Sequence, residues 1–256
     1  MSARALFPCS AGDRRSAVGT IVTLPDSRLV EIAAQAGCDW VMVDCEHGAV
    51  SVADVGRVLV GAPQGFPVLV RVPAAEEVCV KQALDAGAAG IVCPMVEDAA
   101  TVKNLVRWAK YAPVGARSVG IGRAHGYGLS FDSYLETANA ATSVVVQIES
   151  AAGVGALDGI LGVEYLGGVL IGPYDLSASM GQPGEPSAPA VLAAVADVVT
   201  RCNDAGVPVG QFFASGTAYT EASRQGQLDF AAIGLDTMTL SQAIRREVLH
   251  LAQYER

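Results

Sequence analysis

The chain alternates short, continuously apolar runs with stretches of helical spacing. The apolar runs are rich in β-branched residues at consecutive positions, which is typical of parallel strands covered on both faces. Eight such runs occur: Val18–Leu24, Trp40–Cys45, Val68–Val72, Gly90–Met95, Val144–Ile148, Gly168–Gly172, Val207–Phe213 and Phe230–Gly234. Eight strands alternating with helices in a chain of this length predict a (β/α)8 TIM barrel. The alternative, a doubly wound open sheet, is weakened because no GxGxxG motif follows the first strand.

Glycines mark the ends of the predicted helices. A glycine that follows a helical pattern shortly before a strand is typical of the left-handed C′ position, and we expect this at Gly37, Gly87, Gly206 and Gly226. We interpret residues 1–256 as a single barrel domain, with 1–16 as an N-terminal extension and 238–256 as a C-terminal helix. The glycine-rich segment 113–130 is the longest irregular stretch, and we consider it a candidate active-site loop.

Composition narrows the class of protein. The chain has 256 residues, is 51% hydrophobic and 17% charged, and carries a formal net charge of −9. It can therefore bury a large core, and its apolar runs fall short of the roughly 20 residues that cross a bilayer. The acidic balance without a Lys/Arg cluster argues against nucleic acid as a partner. Six cysteines without CxxC spacing and an N-terminus without an apolar signal segment favour a cytoplasmic protein with free thiols.

Polar residues stand at the ends of several predicted strands. Strand two runs into Asp44-Cys45-Glu46-His47, strand three ends at Arg71, and strand five carries Gln147 and Glu149. The next strand runs into Gly172-Pro173-Tyr174-Asp175, and later strands offer Gln211 and Asp236. Charged groups in apolar strands are costly unless they are paired or bind a metal. Because strand ends converge at the carboxyl-terminal mouth of a barrel, we expect most of these groups to form one site.

The types of residue expected at this mouth suggest a chemical role for each of them. Glu149 and Asp175 are the best candidates for binding a hard cation such as Mg²⁺ or Mn²⁺, although N-caps or salt bridges to arginine would also explain them. His47 is the natural proton carrier, the alternative being a core histidine bonded to Asp44. Arg71 suits a substrate carboxylate or enolate oxygen, or else a structural ion pair with Glu46 or Glu149.

The remaining basic residues exclude some mechanisms. Lys81, Lys103 and Lys110 all fall in helical patterns, so we find no strand lysine for a Schiff-base aldolase. His250 is interpreted as a surface or interface residue, and His125 as a solvated residue of the glycine-rich segment. Clustered His or Cys ligands for structural zinc, a P-loop and a G-x-S-x-G elbow are missing from the sequence.

Five motifs in the chain together resemble the HpcH/HpaI family of metal-dependent pyruvate aldolases. They occur in the family's order between about Gly19 and Asp236, and they are Gly37–Gly48, Val70–Pro73, Leu84–Pro94, Val146–Ser150 and Gly172–Ser177, the last followed by Ser179–Gly181. The resemblance implies a (β/α)8 barrel that exchanges its C-terminal helix between subunits and forms homohexamers, as trimers of dimers.

The resemblance also assigns roles to residues. Glu149 and Asp175 are expected to hold the divalent metal, which is Mg²⁺ or Mn²⁺ and possibly Co²⁺. Arg71 is expected to neutralise an enolate oxygen, and His47, oriented by Asp44, to act as acid and base.

The substrate contacts follow from the same resemblance. Gln147 is expected to contact the oxo acid, and backbone N–H groups around Gly172, Pro173, Tyr174 and Asp175 to bind its carboxylate. Asp85 matches an aspartate that reaches the active site of a neighbouring subunit.

The implied activity is reversible cleavage of a 4-hydroxy-2-oxo acid to pyruvate and an aldehyde through a metal-bound enolate. The chain departs from the family's pattern at Ile21, Leu235, Phe212-Phe213 and the loop 115–128, which line the aldehyde side. These departures leave two alternatives, a citrate-synthase-like or an oxaloacetate-decarboxylating enzyme on the same site. A non-catalytic oxo-acid-binding protein is a third.

Overall fold

The computed structural model describes residues 16–222 and 228–254. Most of the predicted N-terminal extension, with Cys9, and the predicted helix-ending Gly226 lie outside this range. Strands β1–β8 span Ala17–Val22, Trp40–Asp44, Val68–Arg71, Gly90–Cys93, Ser143–Ile148, Gly168–Ile171, Val209–Phe213 and Phe230–Leu235.

The strands form a closed barrel in which every strand pairs in parallel with the next and β8 pairs with β1. The predicted (β/α)8 fold is confirmed, and the alternative of an open doubly wound sheet is wrong.

The helices cover the outside of the barrel. Helices α1–α11 span Ser27–Gln35, Val55–Val58, Glu77–Asp85, Ala99–Ala109, Phe131–Ala141, Ala151–Gly155, Leu157–Leu161, Pro173–Ser179, Pro189–Ala205, Gly216–Ala222 and Asp236–Tyr254, with short 3₁₀ segments at Val52–Asp54, Leu59–Gly61 and Arg123–Gly128. Gly37, Gly87 and Gly206 have φ values of 92°, 98° and 67° at helix ends, as predicted. Within residues 16–222 and 228–254, none of the helices has the length and apolar character needed to cross a membrane.

Two aromatic side chains fill the interior of the barrel near its amino-terminal end. The rings of Trp40 and Phe230 meet edge to face with centroids 5.8 Å apart, and both are fully buried. Gly19 is paired with Trp40 and Gly210 with Phe230 across neighbouring strands. A Cβ at Gly19 would lie 2.4 Å from the Trp40 ring, and one at Gly210 would lie 2.3 Å from the Phe230 ring. The two glycines therefore create the space that the rings occupy.

The glycine-rich segment 113–130 lies at the amino-terminal end of the barrel. Arg117 donates to Asp85 at 2.6 Å, and Arg123 donates to the carbonyl of Leu59 at 3.1 Å. Asp85 is the last residue of α3, and helices that precede parallel strands end at this side of the barrel. The segment is therefore remote from the carboxyl-terminal mouth of its own chain, where an active-site loop had been expected.

His125 is a core residue of this segment. Its side chain is fully buried and its ring packs against Phe131 and Tyr134, with centroids 5.5 Å and 4.6 Å away. The Tyr111 hydroxyl lies 3.4 Å from its Nε2. The sequence interpretation of His125 as a solvated residue is wrong, because the turn that carries it folds back onto helix α5.

Lys110 is buried at the same end of the barrel. It follows α4, and its ammonium donates to the carbonyls of Asn139, at 2.7 Å, and Thr142, which directly precedes β5. Burial lowers the pKa of Lys110 from 10.5 to about 8. This position is remote from the carboxyl-terminal mouth, where a Schiff-base lysine would have to lie.

The lowered pKa of Lys110 predicts a pH-dependent stability. Between pH 8 and 10.5 the unfolded chain holds a proton that the folded chain has lost, so the free energy of unfolding rises with pH in this window. The neutral amine keeps two N–H groups for its two carbonyl partners. In urea titrations we expect the wild type to gain stability relative to Lys110→Met, by up to about 1.4 kcal/mol per pH unit. Lys103→Met, an exposed position on α4, is the control, and parallel curves for wild type and Lys110→Met would contradict the prediction.

Candidate active site at the carboxyl ends of the strands

Strand alternation brings the predicted polar residues to the interior of the barrel mouth. Side chains two residues apart in a strand share a face. Met42, Leu69 and Val145 belong to the interior cluster, and each is followed two residues later by a polar side chain on the same face. These polar residues are Asp44, Arg71 and Gln147, with Glu149 two residues beyond Gln147. All four are buried.

Arg71 and Asp44 form a buried, two-point ion pair. They are paired residues on adjacent strands β2 and β3, and Arg71 donates from Nε at 2.9 Å and from Nη2 at 2.7 Å to the two carboxylate oxygens of Asp44. Burial opposes ionisation of Asp44, but the hydrogen bonds and the charge of Arg71 hold the pKa of Asp44 below its usual value. The third nitrogen, Nη1, lies 3.4 Å from Oε1 of Gln147 and 3.3 Å from Oε2 of Glu46.

His47 and Glu46 lie on the loop that follows β2. Asp44 accepts hydrogen bonds from the backbone N–H groups of Glu46, at 3.0 Å, and His47, at 3.2 Å. The imidazole of His47 is 66% exposed, and its Nε2 lies 3.6 Å from Oε2 of Glu46. Asp44 thus orients the backbone of the loop, while the expected contact between its carboxylate and the imidazole is not made, because Arg71 occupies both carboxylate oxygens. The alternative of a core histidine is wrong.

Glu149 is a buried carboxylate held by two donors. Its Oε1 accepts the backbone N–H of Met95 at 2.7 Å, and its Oε2 accepts the side-chain amide of Gln147. Burial raises the pKa of Glu149, the two donors oppose this rise, and the charges of Asp175 and Glu46 add to it. The pKa of Glu46 is also raised, by burial and by Asp44 and Asp175, against the opposing charges of Arg71 and His47.

Gly172 closes one side of the site. A Cβ at this position would lie 2.7 Å from Oε2 of Glu149 and 3.0 Å from Nε2 of Gln147. The chain then enters α8, whose first turn carries Pro173, Tyr174 and Asp175. These residues line a pocket together with His47, Arg71 and Gln147, and its volume of about 160 Å³ indicates a small ligand, since pockets for drug-sized molecules start at roughly 300 Å³.

The donor set fits a hard divalent cation. Glu149 and Asp175 supply carboxylate oxygens, and besides burial the nearby charges of Asp175 and Glu46 raise the pKa of Glu149, as expected where acids lie close together. Among the residues that the structure describes, no three His, Cys, Asp or Glu side chains are grouped closely enough to enclose an ion. Mg²⁺ is commonly bound by one or two carboxylates, with water and substrate oxygens completing its shell. Asp175, which lines the open pocket, and Glu149, beside Gly172 of that lining, match this pattern.

The structure brings the predicted site residues together with one exception. Asp44, His47, Arg71, Gln147, Glu149 and the segment Gly172, Pro173, Tyr174 and Asp175 meet at the carboxyl-terminal mouth. Asp85 instead lies at the amino-terminal end of the same chain, paired with Arg117. Asp236 accepts the backbone N–H of Thr23 and joins β1 to α11.

Sequence analysis missed two contributors, Met95 and Glu46. Met95 has a left-handed backbone, with φ of 51°, which lets its N–H reach Glu149. Nothing in its residue type indicates this conformation, since glycine and asparagine are the residues that usually adopt it. Glu46 was considered only as an ion-pair partner, although its place between two predicted site residues could have indicated more.

A closed parallel barrel whose polar groups collect at the carboxyl ends of its strands is the arrangement of (β/α)8 enzymes. Comparison with known proteins defines the group more closely. The chain belongs to the HpcH/HpaI aldolase/citrate lyase family, whose model matches residues 19–243. The resemblance noted in the sequence is thereby confirmed.

Individual relatives match along nearly the whole chain. A hydroxypyruvate/pyruvate aldolase of Roseobacter denitrificans is 35% identical over 91% of this chain and 92% of its own length. A 2-keto-3-deoxy-L-rhamnonate aldolase of Klebsiella pneumoniae is 34% identical over 90% of this chain and 87% of its own length. A crystal structure of a family protein from Burkholderia cenocepacia superposes with a TM-score of 0.89 and 32% identity, covering 98% of both chains.

The close approach at Gly172 predicts a specific defect. In Gly172→Ala, the new methyl group must displace Glu149 or Gln147, so we expect Mn²⁺ affinity to fall at least tenfold, with a stability loss of about 1–3 kcal/mol. Free Mn²⁺ in titrations can be measured by electron paramagnetic resonance. Gly155→Ala is the matched control, because nothing lies within 4 Å of its added Cβ. Equal Mn²⁺ affinity in the two variants would contradict this account of the site.

Proposed function

We propose that this chain is a divalent-metal-dependent aldolase, a carbon–carbon lyase that reversibly cleaves a 4-hydroxy-2-oxo acid to pyruvate and an aldehyde. The observation that carries the proposal is that His47, Arg71 and Asp175 line one small pocket, with the Glu149 carboxylate directly beside Gly172 of the same lining. The family and the aldolases among its relatives support the same reaction. Citrate formation and oxaloacetate decarboxylation on this site have less support, because the relatives from Roseobacter denitrificans and Klebsiella pneumoniae are both named as aldolases.

Glu149 and Asp175 are the residues that we assign to the metal, Mg²⁺ or Mn²⁺, with Co²⁺ as a further candidate. A divalent cation held by these carboxylates would supply Lewis-acid polarisation of the oxo acid. The amides of Met95 and Gln147 hold Glu149 in one orientation, so the donor needs little reorganisation when a ligand enters.

Arg71 is assigned to the oxygen on which negative charge develops. Asp44 occupies Nε and Nη2, so the guanidinium is fixed in place while its Nη1 edge faces Gln147 and the pocket. A preorganised donor of this kind stabilises developing charge without moving. Asp44 is then a positioning residue for Arg71 and the His47 loop, and Gln147 adds an amide beside the oxo acid.

The carboxylate of the oxo acid is assigned to the segment from Gly172 to Asp175. Amides in the first turn of a helix have no acceptor within the helix, so those of Tyr174 and Asp175 are available to an anion. Gly172 permits the close approach because it has no side chain, and Pro173 begins α8 at a position that needs no N–H.

His47 is assigned to proton transfer. In the cleavage direction, the proton of the 4-hydroxyl passes to His47 and the C3–C4 bond breaks, so that the aldehyde leaves and the electron pair remains on the pyruvate enolate. His47 then returns that proton to C3 of the enolate, which gives the methyl group of pyruvate. The exposed imidazole of His47 at the pocket edge supports this assignment.

The oligomeric state, the role of Asp85 and the location in the cell belong to the same proposal. Helix α11 exposes the apolar residues Leu240, Ile244, Val248, Leu249 and Leu251, which supports its packing on a second copy in a homohexamer of exchanged C-terminal helices. Asp85 is remote from the active site of its own chain, and we then assign it to the active site of a neighbouring subunit. The free, buried thiols of Cys45, Cys93 and Cys202, whose pKa burial raises to about 12, suit the reducing cytoplasm.

Exchange of the pyruvate methyl protons with D₂O, followed by NMR, tests the proposal without any aldehyde. We expect the wild type to catalyse exchange with Mg²⁺ or Mn²⁺ and to lose it on chelation. His47→Ala should exchange at least roughly 100-fold more slowly, because general acid–base groups contribute about that much or more. Lys103→Ala, at an exposed position on α4 outside the pocket lining, is the control. Undiminished exchange in His47→Ala would contradict the role of His47 in proton transfer. No exchange by the wild type with any metal would contradict the proposed aldolase reaction.

A further inference from the structure

The pocket has two chemically different halves. On one side, β3 and β5 bring Arg71 and Gln147 to the lining, near His47 and Asp175, and we assign this side to the oxo acid and its metal. On the other side, β7, β8 and β1 contribute Phe212, Leu235 and Ile21 to the pocket lining. Every lining residue from these three strands is apolar. An asymmetric lining of this kind favours a ligand with one charged end and one apolar end.

The apolar half is a rigid surface continuous with the barrel core. Ile21, Met42 and Leu170 are at most 5% exposed, and Phe212 and Leu235 pack against the same interior cluster. The ring of Tyr174, on α8, lies 6.3 Å from that of Phe212 and extends this surface. Because Ile21, Met42 and Leu170 are held by the core, they cannot turn away to admit water beside a bound ligand, whereas Tyr174 is 45% exposed.

Polar groups near this half are already engaged or point elsewhere. Asp236, after β8, accepts from the backbone N–H groups of Thr23 and Leu24, and from the Thr23 hydroxyl at 2.6 Å. Gln211 neighbours Phe212 in β7 and therefore points to the opposite face of the sheet. Among the lining residues that the structure describes, the Tyr174 hydroxyl is the single hydrogen-bonding side-chain group on the apolar side.

We propose that the apolar half, where the resemblance places the aldehyde, selects unsubstituted alkyl or aryl aldehydes over hydroxylated ones. The proposal rests on the proposed aldolase function, since it assigns the substrate class of that reaction. A hydroxyl group placed against Ile21, Phe212 and Leu235 loses its water and gains no hydrogen bond from these three apolar side chains. Such a loss lowers kcat/KM by roughly tenfold or more for each hydroxyl group.

The test compares aldehydes of equal carbon number as acceptors for pyruvate in the Mn²⁺-loaded protein. We expect kcat/KM for propanal to exceed that for glyceraldehyde at least tenfold. Leu235→Ser and Phe212→Tyr each introduce a hydroxyl into the apolar half, and either should lower the propanal/glyceraldehyde ratio about tenfold. The intrinsic reactivities of the two aldehydes cancel when the ratio is compared between variants. Ile32→Ser, on the exposed face of α1, is the control and should keep the wild-type ratio.

The outcomes separate this inference from the proposed function. A wild type that exchanges pyruvate methyl protons but uses glyceraldehyde as well as propanal overturns the selectivity and leaves the aldolase reaction in place. An unchanged ratio in both folded variants, with folding checked by circular dichroism, overturns the assignment of Leu235 and Phe212. A wild type with neither exchange nor aldol product for any metal overturns the reaction, and the inference falls with it.

Discussion

The buried ion pair between Arg71 and Asp44 is the interaction on which the arrangement of the site depends. The two residues are register partners on β2 and β3, so the strand pairing itself aligns the guanidinium with the carboxylate. Asp44 also accepts the amides that shape the loop carrying Glu46 and His47. Loss of one member would leave an uncompensated buried charge, which costs about 3–5 kcal/mol. One carboxylate thus sets the positions of the arginine and of the histidine loop.

The barrel and most of the polar site could be predicted because both follow from local rules. Continuous apolar runs indicate strands covered on both faces, and glycines such as Gly37 and Gly87 end helices in a conformation that few other residues adopt. Once the barrel is assumed, alternation places Arg71 on the interior face with Leu69, and Gln147 with Val145. The convergence of distant residues is therefore a consequence of the strand pattern, and it does not require knowledge of side-chain contacts.

What could not be predicted depends on contacts between distant elements. Met95 reaches Glu149 only through an unusual backbone conformation, which its residue type does not encode. His125 is polar and lies in a glycine-rich segment, and it is buried because Phe131 and Tyr134 of the next helix cover it. Asp44 accepts hydrogen bonds from Arg71 and from the loop backbone rather than from the imidazole of His47. The spacing of these residues in the sequence does not indicate which neighbouring donor the carboxylate accepts from. In each case the decisive partner lies outside the local sequence pattern.

The central claim is that Glu149 and Asp175 share one cation beside Arg71. The most direct measurement is anomalous X-ray diffraction at the manganese edge from crystals grown with Mn²⁺ and oxalate, a planar analogue of the pyruvate enolate. The account predicts one strong peak within about 2.5 Å of a carboxylate oxygen of each residue, distances typical of hard divalent cations. It also predicts that oxalate lies between the peak and the guanidinium of Arg71. A peak bound elsewhere, or oxalate ordered at this pocket without manganese, would contradict it.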